Sequence, residues 1–410
     1  MAFTRNITDD QILKLTNNVT WTGVLDAEIR TFDIVMETEY GTTYNSYFIN
    51  ADKKVLVETV KEKFFKKFLS KLQQLVNPAD IDYIVLNHTE PDHSGSLVHL
   101  LKIAPKAVVV GSGQAVKYLE DIVGHSFKHQ IVKDGDTLDL GNMTLRFIGA
   151  PNLHWPDSMY TWLQQEKILF TCDSFGAHYC DKAMFDDMTG DYNEAFDYYF
   201  NVILKPFSKF MLKAIDKISD FDIRMIAPGH GPILRSTWKE KVHKSKVLSE
   251  EYVAENTHKR KKVLVAYVSA YGYTREMAEL IADGIRKHDD IEVELADIET
   301  IELGELDSKL VSADALLVGC PTLNQNILLP VYKLFALINP IRDRGKMAAA
   351  FGSYGWSGEG VHIIEAVLKS LKMNVISEPK PMKFRPGERN NHELFEYGKS
   401  FGEKMKQEIG

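Results

Sequence analysis

Asn87 to Gly95 read Asn-His-Thr-Glu-Pro-Asp-His-Ser-Gly, and six residues of this run offer four side chains that bind metals, His88, Glu90, Asp92 and His93. His88 and Glu90 are two apart, so in extended chain they project to one side, and Asp92 with His93 place two more donors at the start of a following helix. Carboxylates and imidazoles this dense repel or stay unsatisfied in a fold unless a cation joins them. The chemistry implied is a binuclear metal site. The structural alternative is a polar loop in which Asp92 or Ser94 caps a helix.

Three later stretches offer further donors, each after a strand-like run: His154 in Leu153 to Ser158, Asp173 in Leu169 to Ser174, and His230 in Ala227 to Gly231, where glycines let backbone approach a metal. Singly, these also read as a core histidine, a helix cap and a turn residue. His178, Tyr198 and Tyr199 lie near these motifs as candidate proton donors, with ordinary packing as the alternative. Cys172 neighbours Asp173 on the other side of its strand and reads as a buried structural thiol.

A second constellation lies in the last third of the chain. Val263 to Val268 runs into Ser269-Ala270-Tyr271-Gly272-Tyr273-Thr274 and then a helix. Backbone N–H groups and hydroxyls at a helix start suit a terminal phosphate. The loop resembles the flavodoxin phosphate loop, departing at Tyr271, and it lacks the Gly-x-Gly-x-x-Gly of a dinucleotide site, so the expected cofactor is FMN. Two more strand ends should frame the flavin ring: Pro321, Thr322, Leu323 and Asn324, followed by Gln325 and Asn326; and Ser353, Tyr354, Gly355, Trp356, Ser357 and Gly358. Tyr354 or Trp356 could stack on it, or Trp356 could pack a loop.

The elements that position these residues follow from periodicity. Short β-type runs at Thr31 to Met36, Tyr44 to Ile49 and Lys54 to Glu58 read as strands of one sheet. A helix over Lys61 to Leu75 precedes the apolar strand Ile81 to Leu86, and a helix begins near Ser96. Strands follow at Ala107 to Val110, Thr144 to Ile148 and Lys167 to Thr171, then a helical region from Tyr192 to Phe221 and a charged helix from Thr237 to Thr257. Beyond the basic residues 258–262, strands at Val263 to Val268, Ile291 to Ala296, Ala315 to Gly319 and Lys346 to Phe351 alternate with helices at Thr274 to Lys287 and Glu359 to Leu371, and a last helix spans Asn391 to Lys406. That alternation predicts a doubly wound parallel sheet. The basic cluster reads as a solvated linker, with a docking site for an acidic electron carrier as its alternative.

At 410 residues and 44% hydrophobic content the chain can bury more than one core. No apolar run reaches the roughly 18 residues that span a bilayer, and Met1 to Asp10 has no signal-peptide core, so the expectation is a cytoplasmic protein without a membrane partner. Cys172, Cys180 and Cys320 form no Cys-x-x-Cys, which excludes a disulfide framework and a built-in rubredoxin-type centre. A net charge of -8 argues against broad nucleic-acid binding.

The run from His88 to His93 resembles the His-x-His-x-Asp-His pattern of the metallo-β-lactamase superfamily, with Glu90 in place of the second histidine. A hard oxygen there moves preference from zinc towards iron or manganese. Over essentially its whole length the chain resembles the flavodiiron proteins, or A-type flavoproteins. The resemblance implies a metallo-β-lactamase-like αββα sandwich over 1–256, a linker over 257–262, and a flavodoxin-like doubly wound parallel sheet over 263–410. It implies that His88, Glu90 and His154 hold one iron, that Asp92, His93 and His230 hold the other, and that Asp173 bridges them. It also implies reduction of dioxygen to water, or of nitric oxide to nitrous oxide, with FMN facing the irons of a partner in a head-to-tail homodimer or dimer of dimers. Electrons would come from an external donor, rubredoxin or reduced coenzyme F420. Two rivals remain: a zinc hydrolase on the same fold, opposed by Glu90 and the flavin half, and an electron-transfer flavodoxin carrying an inert metal domain.

Overall fold

The computed structural model describes residues 11–32, 36–255, 261–340 and 342–409. The chain forms two compact units, Met1–Ala254 and Glu255–Gly410. The first contains a seven-stranded sheet in the order Leu13–Lys14, Val19–Trp21, Tyr47–Asn50, Lys54–Val57, Tyr83–Val85, Val108–Gly111, His129–Ile131, and a five-stranded sheet in the order Thr137–Asp139, Thr144–Gly149, Met159–Leu163, Ile168–Cys172, Met225–Pro228.

Side-chain alternation stacks the layers. Val55, Val57, Val85 and Val110 from one sheet meet Leu145, Phe147, Ile168, Phe170 and Met225 from the other in a central core. Their adjacent neighbours Leu56, Ile84 and Val109 point outward onto Phe68, Leu72, Leu97, Leu100 and Leu119 of flanking helices. On the opposite side Ile148, Trp162, Leu169 and Ile226 pack under Phe196, Tyr199, Met211 and Ile215. The result is an αββα sandwich.

Several expected elements differ. The run from Tyr44 to Ile49 is two strands, Thr42–Tyr44 paired with Val24–Asp26 and Tyr47–Asn50 in the seven-stranded sheet. The buried side chain of Asn45 causes the break, because it donates to Pro228 and Gly231 carbonyls at 2.9 and 3.1 Å. Thr31 to Met36 is not one strand: Thr31–Phe32 and Met36–Glu37 pair antiparallel with each other, Phe32 opposite Met36, and the residues between them lie outside those described. The β-type runs from Thr31 to Glu58 thus belong to three sheets. The helix of Lys61 to Leu75 is a tight turn, Glu62–Phe64, then Phe65–Leu72. The Tyr192 to Phe221 region is helical in pieces, Asn193–Tyr199 widening into a π-type stretch at Phe200–Leu204, then tightening at Lys205–Phe207, where Pro206 lacks an N–H, before Ser208–Ile218.

The second unit is a parallel sheet in the order Ile291–Asp297, Lys261–Tyr267, Ala315–Gly319, Met347–Tyr354, ending in Asn374–Val375 and Lys380–Lys383. Leu264, Ala266, Leu316 and Val318 face helices Leu303–Ser312, Leu329–Leu337 and Glu359–Ser370, while Val263, Val265 and Leu317 face Tyr273–Ile285 and the C-terminal Glu388–Ile409. Residues 257–260 of the expected linker lie outside the described residues. Lys261 and Lys262 already pair with Ile291 and Glu292, so the strand takes in the end of that linker. Among the described residues no helix is long and apolar enough to cross a membrane.

Candidate metal centre and flavin site

All seven candidate metal donors follow strands of the sandwich. Strand Tyr83–Val85 runs into Asn87, whose N–H donates to Glu58 Oε1 at 2.9 Å and whose Oδ1 accepts from Thr161 Oγ1 at 2.6 Å, fixing the chain just before His88. Glu90 then precedes a single turn, Pro91–Ser94, with Pro91 at its first position, where a missing N–H costs nothing. That turn presents Asp92 and His93, and Ser94 Oγ closes it by donating to the Thr89 carbonyl at 2.7 Å. Asp173 directly follows strand Ile168–Cys172, and His230 sits in the turn after Met225–Pro228. Gly229 is required there, since a Cβ would lie 2.7 Å from His93 Cε1. His154 comes from the loop between Thr144–Gly149 and Met159–Leu163.

These side chains converge in two groups on either side of Asp173. Its Oδ2 lies 3.2 Å from His154 Nε2 and 3.5 Å from His88 Nε2, and Glu90 Oε2 lies 3.0 and 3.2 Å from the same two nitrogens. Its Oδ1 lies 3.0 Å from His93 Nε2 and 3.5 Å from His230 Nε2, with Asp92 Oδ2 at 3.5 and 3.0 Å. Both Asp92 carboxylate oxygens and Asp173 Oδ2 are buried without a hydrogen-bond donor. Orphaned carboxylate oxygens facing imidazole nitrogens at these distances are the donor set two cations require, so the residues fit a binuclear site. His154 and Glu90 retain 22% and 13% exposure, while the other five donors are 4% or less exposed, which gives the site one open edge.

The electrostatics agree. Burial opposes charge on His88, yet the neighbouring carboxylates of Asp157 and Glu90 outweigh it and push its imidazolium up to about 10. Burial likewise opposes charge on His154, but Asp173 and Glu90 raise it to about 10, and against the same penalty Asp92 and Asp173 raise His93 to about 9. Against their own burial, Glu90 and Asp173 are held below the usual carboxylate range by these imidazoles. Without metals these three imidazoles keep protons that cations would replace.

Surrounding residues hold the donors in place. His230 Nδ1 lies 2.6 Å from the Thr43 carbonyl, which can only accept, so Nδ1 carries the proton and Nε2 is free to bind. His178 stacks on Phe32 at 4.6 Å between centroids, meets Tyr199 edge-on at 4.8 Å, and has its Nδ1 2.9 Å from Thr42 Oγ1. Burial holds His178 well below its ordinary value. Tyr199 is buried near His230, whereas Tyr198 is 40% exposed and its hydroxyl accepts from the Glu37 N–H, so it stands apart from the site. Burial raises the Cys172 thiol well above its usual value, keeping it protonated, and pushes the Glu58 carboxyl up to about 7. Sequence reasoning missed Asn45, Glu58 and Asp157. Asp157 stands three residues after His154, and that spacing was the available signal.

In the second unit, strand Lys261–Tyr267 lies between Ile291–Asp297 and Ala315–Gly319, the point where strand order reverses and where doubly wound sheets bind ligands. Ser269, Ala270, Tyr271 and Gly272 lead into helix Tyr273–Ile285, and Gly272 takes φ +83° at its start. Ser269 Oγ accepts from the Arg275 N–H at 3.2 Å, and buried Thr274 Oγ1 lies 2.9 Å from Ser353 Oγ, joining the first loop to the third. In the second loop Thr322 Oγ1 accepts from the Gly360 N–H at 3.1 Å, and Asn324 and Gln325 take positive φ. Tyr271 and Trp356 are each 76% exposed, so Trp356 does not pack its own loop. Phe384, absent from the sequence reading, stands beside Gly355, its Cε1 3.6 Å from where a Cβ would lie.

Comparison with known proteins agrees with both halves. The family described as ODP family beta lactamase matches residues 42–231, and the flavodoxin family matches residues 265–398. The flavo-diiron protein FprA2 of Clostridium acetobutylicum is 38% identical over 96% of this chain and 99% of its own length. A nitric oxide reductase of Moorella thermoacetica is 37% identical over 90% of this chain and 93% of its own. The solved structure of rubredoxin oxygen:oxidoreductase from Desulfovibrio gigas superposes with a TM-score of 0.68 at 28% identity, covering 98% of this chain and all of that one. A chain that matches a flavodiiron relative end to end, and joins a lactamase-like sandwich with a binuclear donor set to a flavodoxin sheet, belongs to the flavodiiron, or A-type flavoprotein, family of oxidoreductases that carry FMN and a non-haem diiron site.

Proposed function

We propose that this protein is a terminal reductase that takes dioxygen to water with four electrons at a diiron site fed by FMN. The observation that carries the reading is the placement of Asp173, whose two oxygens each face one half of the donor set. On this reading His88, Glu90 and His154 hold one iron, Asp92, His93 and His230 the other, and Asp173 spans both. A pair of ferrous ions, when bound, would supply two electrons and a Lewis-acidic face for the gas, and a reduced flavin would supply the other two.

The chain's own residues do the rest. The half-open edge at Glu90 and His154 admits a small molecule, while Phe32, His178 and Tyr199 close the opposite side. Tyr199, raised well above its usual value by burial, keeps its proton and so can donate a hydrogen bond. The loops Ser269–Thr274, Pro321–Asn324 and Ser353–Gly358 would hold FMN, the first at its phosphate and the other two about its ring. Flavin and irons would meet across a head-to-tail homodimer, with rubredoxin or reduced coenzyme F420 as the external donor. Rubredoxin has the support of the Desulfovibrio gigas relative's name.

The Moorella thermoacetica relative supports a second reading, reduction of two nitric oxide molecules to nitrous oxide and water at the same site. Initial consumption of each gas by the chemically reduced protein in one anaerobic cell tests the choice. Faster loss of dioxygen is expected. Faster loss of nitric oxide would make the protein a nitric oxide reductase, and loss of neither would contradict the diiron assignment and return the zinc hydrolase to consideration.

A further inference from the structure

Behind His88, on the side away from the metal cluster, lies a carboxylate outside the donor set. Asp157 is fully buried, and its Oδ2 is 3.5 Å from His88 Nδ1. The same oxygen accepts from the Thr89 N–H and the Thr89 hydroxyl, both at 2.8 Å, so its position is fixed from the loop that carries His88 and Glu90. The Asp157 carbonyl is held as well, accepting from Ser112 Oγ at 2.9 Å. Asp157 Oδ1 and His88 Nδ1 are both buried with no hydrogen-bond partner, so the carboxylate is the nearest group that can take the Nδ1 proton.

A neutral imidazole carries its one proton on the nitrogen that does not bind the metal, and a carboxylate opposite that nitrogen selects the tautomer and makes the ring a better donor. We propose that Asp157 is a positioning residue of the metal centre, its carboxylate taking the Nδ1–H of His88 so that Nε2 is the nitrogen presented to the iron. His230 reaches the same tautomer through a neutral acceptor, the Thr43 carbonyl. Asp157 therefore places an added negative charge behind one metal position, the one on the open edge.

The inference rests on the metal reading of the site, and the test separates the two. Full-length protein containing FMN is stripped of metal and titrated with zinc against a chelator, alongside Asp157→Asn and Asp157→Glu. Asn still accepts from Thr89 but carries no charge, so it should hold one of the two zinc ions about 10–100-fold more weakly, with part of the loss restored by Glu. In zinc-loaded wild type labelled with ¹⁵N-histidine, His88 should be bound through Nε2 with a protonated Nδ1, and that proton should shift upfield in Asp157→Asn. Wild-type affinity in Asp157→Asn, or His88 bound through Nδ1, would overturn the proposal, and the wild-type spectrum decides alone should the variant not fold. Wild-type protein that takes up no zinc would take down the metal reading and this inference with it.

Discussion

At the residue scale, Asp173 is the side chain on which both halves of the donor set depend. Asp173→Ala should lose more than about 100-fold in gas consumption, since removing even an outer partner of a metal ligand costs 10–100-fold. Iron analysis should show the loss, and a variant that keeps its iron and its rate would contradict the assignment. The imidazoles carry a second prediction. His88, His93 and His154 sit above the ordinary histidine value of about 6.5 in the metal-free chain. Their raised values make a stabilising contribution that is complete below about pH 6.5 and is lost as pH rises through 9 to 10. Metal-free protein should therefore melt at lower temperature as pH goes from 7 to 10, and the metal-loaded protein should lack that fall. Uptake at pH 7 should release about three protons, measurable by calorimetry in buffers of different ionisation enthalpy; no release would show that the histidines were already neutral. The donor run was legible in the sequence because four donors share one loop. Asp157, Glu58 and Asn45 were harder to read, because each bonds to a donor-bearing loop far from it in the chain, Asp157 to Thr89, Glu58 to Asn87 and Asn45 to Pro228 and Gly231, and only folding brings them together.

At the element scale, strand ends and tight turns set the geometry. A Cβ on Gly229 would lie 2.7 Å from His93 Cε1 and 3.1 Å from the Cys172 carbonyl carbon, so Gly229→Ala must displace His93 or the strand end. It should cost roughly 1–3 kcal/mol and lower metal content, and a denaturant melt with iron analysis would check both. Unchanged values would show that the turn yields. The close pairing of Tyr273–Ile285 with the C-terminal helix rests on glycine too, because a Cβ on Gly398 would stand 2.0 Å from the Ile281 carbonyl oxygen. The alternating apolar pattern made the sheets readable. It did not reveal the pairing of Phe32 with Met36, nor the change of sheet at Asn45, since a run of β-type residues looks alike whether one strand or two pass through it. The widened turn at Phe200–Leu204 was also hidden, because a helical pattern carries no mark of where its winding loosens.

At the scale of the whole molecule, each unit has its own core, so cofactor loss in one should leave the other intact. Stripping FMN should lower the stability of the flavodoxin unit, by about 2.7 kcal/mol if flavin had been present at 100 times its dissociation constant, and leave the iron content unchanged. Iron lost together with flavin would contradict that independence. The division into a sandwich and a doubly wound sheet was legible from the change of pattern near residue 260, where a mixed arrangement gives way to regular strand–helix alternation. The central claim is that Asp173 and the six donors around it hold a pair of iron ions. The most direct measurement is the Mössbauer spectrum of protein reconstituted with ⁵⁷Fe and oxidised. About two iron ions per chain in one coupled high-spin pair are predicted. Isolated ferric signals, or a site that accepts only zinc, would contradict the account.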